Sequence, residues 1–137
     1  MDSEPQRPRV GCGAAILDDR GRLLLVKRVK NPEADHWGVP GGKLDWGEAA
    51  RTCAEREIRE ELGITIRAGR VLAVTDMVAE DYHWVAITYA ADAFEGAPAI
   101  QEAHALRDWG WFALDALPSP LTAATRDAVA ALGLKAP

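Results

Sequence analysis

Five glutamates are concentrated between Glu48 and Glu61, in a segment that we predict to be a helix. Three of them, Glu57, Glu60 and Glu61, lie within the last five residues of that segment. At about 100° per residue, these three carboxylates share one narrow face of the helix. Like charges three or four positions apart repel each other by roughly 0.2–0.5 kcal/mol per pair. We therefore expect a partner that offsets this repulsion.

An apolar stripe runs along the same segment about a quarter-turn from the three carboxylates. It consists of Ala50, Ala54, Ile58 and Leu62, and this spacing predicts that it faces the core. Carboxylates beside a core are costly unless a cation neutralises them. Oxygen ligands without His or Cys select a hard ion, Mg²⁺ or Mn²⁺. The alternative that spacing leaves open is a solvated helix face with incidental charge.

The segment Pro40–Gly42 precedes this helix and favours the metal hypothesis. Its glycines let the backbone approach a ligand closely, and its carbonyls could add a metal ligand. Glycines before a helix can also bind phosphate through their amides, although that motif is weak by itself. Arg56 lies one turn before Glu60 and can hold it by an ion pair.

Strands on both sides of the charged helix, followed by a last helix, predict a single α/β or α+β domain. Residues 1–9 are predicted to be a disordered tail and residues 10–137 the domain. The predicted strands are 10–18 and 22–28, forming a hairpin, then 70–77, 83–94 and 109–114. The predicted helices are 47–62, ending at Gly63, and 122–133, with Thr122 as a possible N-cap. We expect one mixed sheet between the helices.

The composition is that of an ordinary soluble protein, 48% hydrophobic and 27% charged over 137 residues. A formal charge of −5 argues against nonspecific binding to nucleic acid or to anionic membranes. The longest apolar stretches are too short to cross a bilayer, and no signal peptide is recognisable. Cys12 and Cys53 lack metal-type spacing, so we expect buried, reduced thiols in a cytoplasmic protein.

From Gly42 to Ile64 the chain resembles the Nudix hydrolase family. Gly42, Glu48 and the run Arg56–Ile64 match the Nudix box, G-x5-E-x7-R-E-U-x-E-E-x-G-U, at every fixed position, where U is a bulky aliphatic residue. The segments "HWGVPGG" and "WGWFALDALP" also resemble small MutT-like members of the family. The box covers 23 of 137 residues.

The resemblance implies an α/β/α sandwich and hydrolysis of a nucleoside diphosphate linked to a group X. By box position, it implies that Glu57, Glu60 and Glu61 bind divalent cations with the carbonyl of Gly41 or Gly42. One of these glutamates, most often at the Glu57 position, would act as general base. Arg56 would orient the carboxylates, and Glu48 would support the site.

Arg28 and Lys43 are candidates to hold phosphate oxygens, although each could equally be a surface charge. Many family members carry a further carboxylate before the late Trp strand. Here that loop offers Glu102 and Asp108, neither clearly at the expected place, and His104 as an alternative base. The assignment of the base therefore stays open.

The aromatic residues suggest where the group X binds. Alternation along strand 83–94 gives two faces, Tyr82, Trp84, Ala86 and Thr88 on one and His83, Val85, Ile87 and Tyr89 on the other. One face packs on the core, while the other could line a base pocket. We single out Trp37 and Trp109 for substrate contact.

The resemblance favours a MutT-type enzyme that cuts a (d)NTP to the monophosphate and pyrophosphate. ADP-ribose or another nucleotide-sugar or dinucleotide is the alternative substrate class, and a nucleotide sensor without catalysis is the alternative function. Many small members of the family are dimers, and the aromatic residues would suit an interface, so we expect a homodimer.

Overall fold

The computed structural model describes residues 6–133. Residues 1–5 of the predicted tail, and residues 134–137, lie outside the described part. Residues 6–8 carry no regular secondary structure, and the first strand begins at Arg9, one residue before the predicted start of the domain.

Seven strands and two helices occupy the described residues. In chain order they are β1 (Arg9–Ala15), β2 (Leu23–Arg28), β3 (Trp37–Gly38), β4 (Gly41–Lys43), α1 (Ala50–Leu62), β5 (Thr65–Val78), β6 (His83–Glu95), β7 (Leu106–Phe112) and α2 (Ala123–Gly133). Neither helix is long and apolar enough to span a bilayer.

The strands form two sheets rather than the single sheet predicted. The first has the order β4-β1-β6-β5 and is mixed, because β1 runs parallel to β6 while the other pairs are antiparallel. The second has the order β3-β2-β7 and is antiparallel throughout. Helices flank these sheets, which gives the expected α+β architecture.

The predicted hairpin of residues 10–18 and 22–28 is wrong, because β1 and β2 belong to different sheets. The turn between them is present, since Asp18 Oδ1 accepts from the backbone N–H of Arg20 and Arg22. A single antiparallel bridge joins Leu17 to Leu23. The strands then diverge, because β4 and β6 occupy both edges of β1 while β3 and β7 occupy both edges of β2.

The boundaries of α1 follow its flanking glycines. Gly47 has a φ of +82°, which is not helical, so α1 starts at Ala50 and not at residue 47. Gly63 adopts the left-handed conformation, and its N–H bonds to the Arg59 carbonyl, which confirms the predicted end of the helix. Strand β5 begins directly afterwards, at Thr65, five residues before the predicted start.

Two apolar clusters hold the layers together. The stripe on α1 is buried as predicted, with Ala54, Ile58 and Leu62 at 0% exposure. These side chains pack with residues of β1 and β6 in the larger cluster. The smaller cluster joins Leu23 and Leu25 of β2 to residues of α2.

Helix α2 is capped as predicted and is tied to the segment before β4. Thr122 Oγ1 accepts from the Thr125 N–H at 3.2 Å, which is the N-cap bond. Thr125 Oγ1 in turn accepts from the Val39 N–H at 2.9 Å and lies 2.7 Å from Thr122 Oγ1. The last helix therefore fixes the backbone that leads into Pro40.

Cys12 and Cys53 are free, buried thiols, as expected. Cys53 Sγ donates to the Gly42 carbonyl at 3.7 Å. Burial raises the pKa of both thiols.

Candidate active site

A cleft of about 530 Å³ is lined by strands of both sheets and by α1. Its lining combines carboxylates, cations and an apolar end. These groups are Glu57, Glu61 and Glu102, then Arg28 and Lys43, then Met77, Trp84 and Ala86. The backbone of Pro40–Lys43 also lines the cleft.

The glycines of this loop are required by close contacts. A Cβ on Gly42 would collide with the side-chain carboxylate of Glu57. A Cβ on Gly41 would collide with the backbone of Cys12 and Gly13. This segment therefore lies directly against both β1 and α1, and at Gly41, where the colliding atoms are backbone, only glycine permits the packing.

Glu61 is the most buried carboxylate of the site, with 8% of its surface exposed. Its Oε1 accepts from the Gly41 N–H at 3.2 Å. Burial is the main cause that raises the pKa of Glu61 to about 8; the charges of Glu57 and Glu102 contribute to this increase, while the Gly41 N–H and Arg28 act in the opposite direction. A carboxylate in such a place favours a nearby cation.

Glu57 lies beside Glu61 on the same cleft. Burial raises its pKa, and the charges of Glu60 and Glu102 act in the same direction. Arg56 opposes this increase, because its Nη1 donates to Glu57 Oε2 at 3.1 Å.

Arg56 is the centre of an ionic network. Its Nε and Nη2 donate to the two carboxylate oxygens of Glu48, at 2.6 and 2.9 Å. Its Nη1 donates to Glu57 and also to Glu60 Oε1, at 3.1 Å, so the expected ion pair one turn apart is present. The bidentate pair holds the pKa of Glu48 at about 2. Arg56 thereby fixes three carboxylates in one arrangement.

The three glutamates do not all face the cleft. Glu60 is 47% exposed in its side chain and does not line it, whereas Glu57 and Glu61 do. Among residues 6–133, no three acidic, histidine or cysteine side chains stand close enough together to hold a metal ion. The spacing on a helical wheel could not reveal this, because Arg56 draws Glu60 aside.

The donor chemistry nevertheless fits a hard cation. Mg²⁺ commonly binds through one or two carboxylates and fills its other positions with water and phosphate oxygens. Glu57 and Glu61 supply two such carboxylates. Burial and the charges of neighbouring carboxylates raise the pKa of both, Glu57 and Glu102 acting on Glu61, and Glu60 and Glu102 acting on Glu57, and a cation would relieve this repulsion. A full cage of protein ligands is not needed.

The two predicted phosphate ligands lie on the cleft. The Arg28 guanidinium donates to the carbonyls of Pro32 and Lys30, at 3.1 and 3.3 Å, which orients it. Lys43 is the last residue of β4 and is exposed. The site therefore places cationic side chains on the same cleft as the carboxylates.

The loop before β7 contributes two of the three residues that the sequence left open. Glu102 and His104 line the cleft. Asp108 does not, since it lies on β7 and its Oδ1 accepts from the Trp109 N–H at 2.8 Å.

The aromatic assignments differ from the prediction. Trp37 packs edge-on against Phe112, and Trp109 packs against the larger apolar cluster, so neither lines the cleft. Trp84 does, and the Arg9 guanidinium lies 5.9 Å from the centre of its ring. The alternation along β6 contained this signal, because Trp84, Ala86 and Thr88 all reach the cleft.

Comparison with known proteins agrees with the family resemblance of the sequence. The family model described as NUDIX domain matches residues 7–132. A solved structure, the MutT NUDIX hydrolase from Burkholderia pseudomallei, is 51% identical with a TM-score of 0.87. That alignment covers 93% of this chain and 99% of the other.

Two relatives with assigned names match shorter segments. An RNA pyrophosphohydrolase of Ruthia magnifica is 37% identical over 75 residues, which are 55% of this chain and 39% of the relative. A putative 8-oxo-dGTP diphosphatase 2 of Mycobacterium tuberculosis is 43% identical over 60 residues, which are 43% of this chain and 40% of the relative. The matches thus span about two fifths of the length of these relatives.

Proposed function

The chain belongs to the Nudix domain family of hydrolases, and from that premise we propose that it hydrolyses a phosphoanhydride bond of a nucleotide with the help of Mg²⁺ or Mn²⁺. The preferred substrate is a (d)NTP, cut to the monophosphate and pyrophosphate. The observation that carries the proposal is the convergence of Glu57 and Glu61 on a cleft that also presents Arg28 and Lys43.

The names of similar proteins support this reaction class and leave the base open. One relative is named for RNA, and another for 8-oxo-dGTP. Both names describe cleavage within a series of linked phosphate groups, but they differ in the molecule that carries these phosphates. The base and the group X are therefore matters for experiment.

Glu57 and Glu61 would hold the cation from within the cleft, and the carbonyl of Gly41 would add an oxygen. Glu60 is included as a further ligand because its side chain is 47% exposed, so turning it displaces no packed neighbour. A bound divalent cation lowers the pKa of a coordinated water and neutralises phosphate charge. Arg56 is a positioning residue, which acts by holding Glu48 and Glu57 in place.

The lining of the cleft supports one orientation of the substrate. Arg28 and Lys43 would hold phosphate oxygens near the carboxylates. The base would lie toward Trp84 and Met77, where the lining is mostly apolar and the Trp84 ring, with Arg9 over it, could stack on a base. Glu57 would accept the proton of the attacking water, with Glu102 and His104 as the other groups on the cleft able to do so.

We place the enzyme in the cytoplasm, where the buried thiols of Cys12 and Cys53 stay reduced. The proposed partner is a small nucleotide, and the proposed function involves neither a nucleic-acid surface nor a membrane.

The test is a panel of substrates with Mg²⁺, with every product identified by mass. It includes the (d)NTPs, 8-oxo-dGTP, ADP-ribose and a 5′-triphosphorylated RNA. Monophosphate plus pyrophosphate from one or two triphosphates supports the proposal. AMP plus ribose 5-phosphate from ADP-ribose would instead favour the nucleotide-sugar alternative.

Variants separate catalysis from folding. Glu57→Gln is expected to lower kcat by about 10²–10⁴-fold, the usual contribution of a positioned acid–base group. Glu95→Gln, at the exposed end of β6, is the matched control and should keep full activity. If Glu57→Gln stays active with an unchanged circular dichroism spectrum, the assignment of the site is wrong. Tight nucleotide binding without turnover by the wild type would indicate a sensor.

A further inference from the structure

The apolar end of the cleft is built on one face of the mixed sheet, where β1 and β6 run side by side. The register places Arg9 beside Trp84. Two positions further along, it places Gly11 beside Ala86. Met77 of β5 pairs with Trp84, and all five residues line the cleft. The glycine and the alanine therefore leave open space beside an aromatic ring and a cation.

The Trp84 ring is the stacking surface at this end. It is half-buried, and its Cε3 and Cζ3 atoms lie 3.8 and 3.9 Å from the position that a Cβ on Gly11 would take. The indole therefore lies across the glycine, with no side chain between the ring and this part of β1. Stacking on an aromatic side chain tolerates every base, because every base has a π-face. Trp84 would thus bind a base without selecting its identity.

The Arg9 side chain supplies hydrogen-bond donors beside this ring. Its guanidinium carbon lies 5.9 Å from the centre of the Trp84 ring, which places its N–H groups within reach of the edge of a base stacked there. In residues 6–133, no carboxylate lies within ion-pair distance of this guanidinium. Lys43, which pairs with Gly11 at the other edge of β1, and the Trp84 indole also carry N–H donors and no acceptor. This face of the sheet therefore presents donors to a base.

Two acceptors in the connection between β2 and β3, which also lines the cleft, are engaged within the protein. Asn31 Oδ1 accepts from the Ala34 N–H at 3.4 Å. Glu33 Oε2 accepts from the Ala123 N–H at 2.8 Å, which turns this carboxylate to the start of α2. The edge of a base beside Arg9 is therefore met by donors and needs acceptors of its own.

The common bases differ in whether they offer such acceptors. Guanine presents two adjacent ones, O6 and N7, and an arginine can donate to both at once. Adenine has a donor amino group in the place of O6. 8-Oxoguanine carries a proton on N7 and so offers a donor there. Cytosine has an acceptor pair at N3 and O2, but its single ring covers less of an indole than a purine does.

We propose, on the basis of the function proposed above, that Arg9 selects guanine by donating to O6 and N7 of a base stacked on Trp84. The preferred substrate is then GTP or dGTP, ahead of the adenine and cytosine triphosphates and of 8-oxo-dGTP. Arg9 determines the choice of base, while Glu57 and Glu61 serve the cleavage step.

A set of triphosphates that differ in a few atoms of the base tests the acceptor pair. The specificity constant kcat/KM is measured for dGTP, dATP, dCTP, 8-oxo-dGTP and 7-deaza-dGTP. The wild type should prefer dGTP over dATP by about 5- to 150-fold, which is the discrimination of one bidentate arginine contact. 7-Deaza-dGTP stacks like dGTP but has a C–H group in place of N7, so its kcat/KM should be lower than that of dGTP.

Variants of Arg9 separate the reading of the base from the effect of charge. Arg9→Met keeps an unbranched side chain without donors, so kcat/KM for dGTP should fall to the level of dATP, while that for dATP changes little. Arg9→Lys keeps the charge but lacks the planar fork of donors, so it should lose the preference as well. A charge effect on phosphate would instead lower dGTP and dATP together in Arg9→Met. Arg20→Met, in the exposed turn after β1, is the control and should keep the wild-type preference.

The outcomes distinguish this inference from the proposed function. A wild type that uses dATP, dCTP or 8-oxo-dGTP as well as dGTP overturns the selection of guanine and leaves the hydrolase in place. So does an Arg9→Met variant that keeps the wild-type preference. If no triphosphate is cleaved, the proposed function fails, and calorimetric binding of GMP, AMP and 7-deaza-GMP tests Arg9 without turnover. Tighter binding of GMP than of the other two, lost in Arg9→Met, supports the selection, and equal binding overturns it.

Discussion

At the residue scale, the site depends on the absence of a side chain at Gly42. Gly42 lies beneath the carboxylate of Glu57, and the nearest atoms of Glu57 occupy the place of a Cβ. Arg56 holds that carboxylate from the other side. The Glu57 carboxylate, the proposed general base, is thus held between the backbone of Gly42 and the guanidinium of Arg56. A shift of either group would move the carboxylate.

Gly42→Ala should therefore impair catalysis more than folding. The added methyl group displaces the Glu57 carboxylate, and a displacement of about 1 Å in an active site can cost on the order of 10²-fold in rate. We expect kcat to fall by about that factor while the thermal unfolding midpoint changes little. Steady-state kinetics and calorimetry on the same samples measure both quantities.

Gly133→Ala is the control, because no described atom beyond its own helix backbone and chain neighbours lies within 4 Å of the position its Cβ would take. It should leave kcat unchanged. Equal rates for Gly42→Ala and the wild type would show that Glu57 is not positioned by this contact.

At the element scale, the site is assembled by α1 and braced by α2. The pattern of α1 and its stop at Gly63 were predictable, because apolar spacing and a terminal glycine are local signals. The short strands β3 and β4 were not, because two or three residues carry no periodicity. The sequence also did not show that β1 and β2 belong to different sheets, since this depends on which distant strands occupy their edges.

Thr125→Val should loosen the brace between α2 and the segment before Pro40. Valine keeps the shape of threonine but removes the oxygen that accepts from the Val39 N–H. Leaving such a donor unpaired costs about 1–3 kcal/mol, so the free energy of unfolding in urea should fall by that amount.

Thr125→Ser keeps the hydroxyl group and serves as the matched variant. It should be more stable than Thr125→Val, although it loses a buried methyl group. If the serine variant is the less stable of the two, packing around Thr125 matters more than its hydrogen bonds.

At the scale of the whole molecule, the sequence predicted the kind of site better than it predicted which residues line it. The Nudix box identified the glutamates, and the structure places Glu57 and Glu61 on the cleft while Glu60 is drawn to Arg56. Glu102 reaches the cleft through a chain reversal that no local pattern records, whereas the alternation along β6 placed Trp84 on one face without deciding which face lines the cleft. Trp37 and Trp109 lie outside the cleft and pack against apolar residues, a difference that the sequence does not show, because the same aromatic pattern occurs in a core and in a pocket.

The two buried thiols beneath the Pro40–Gly42 segment can be used to measure how often the site opens. Cys12 and Cys53 are 2% and 0% exposed, and Cys53 contacts the Gly42 carbonyl. A thiol reagent can reach them only when β1 and α1 separate, so the labelling rate counts such openings. Slower labelling with cation and nucleotide present would reveal how firmly the substrate closes the protein around itself, without any chemistry at the phosphate.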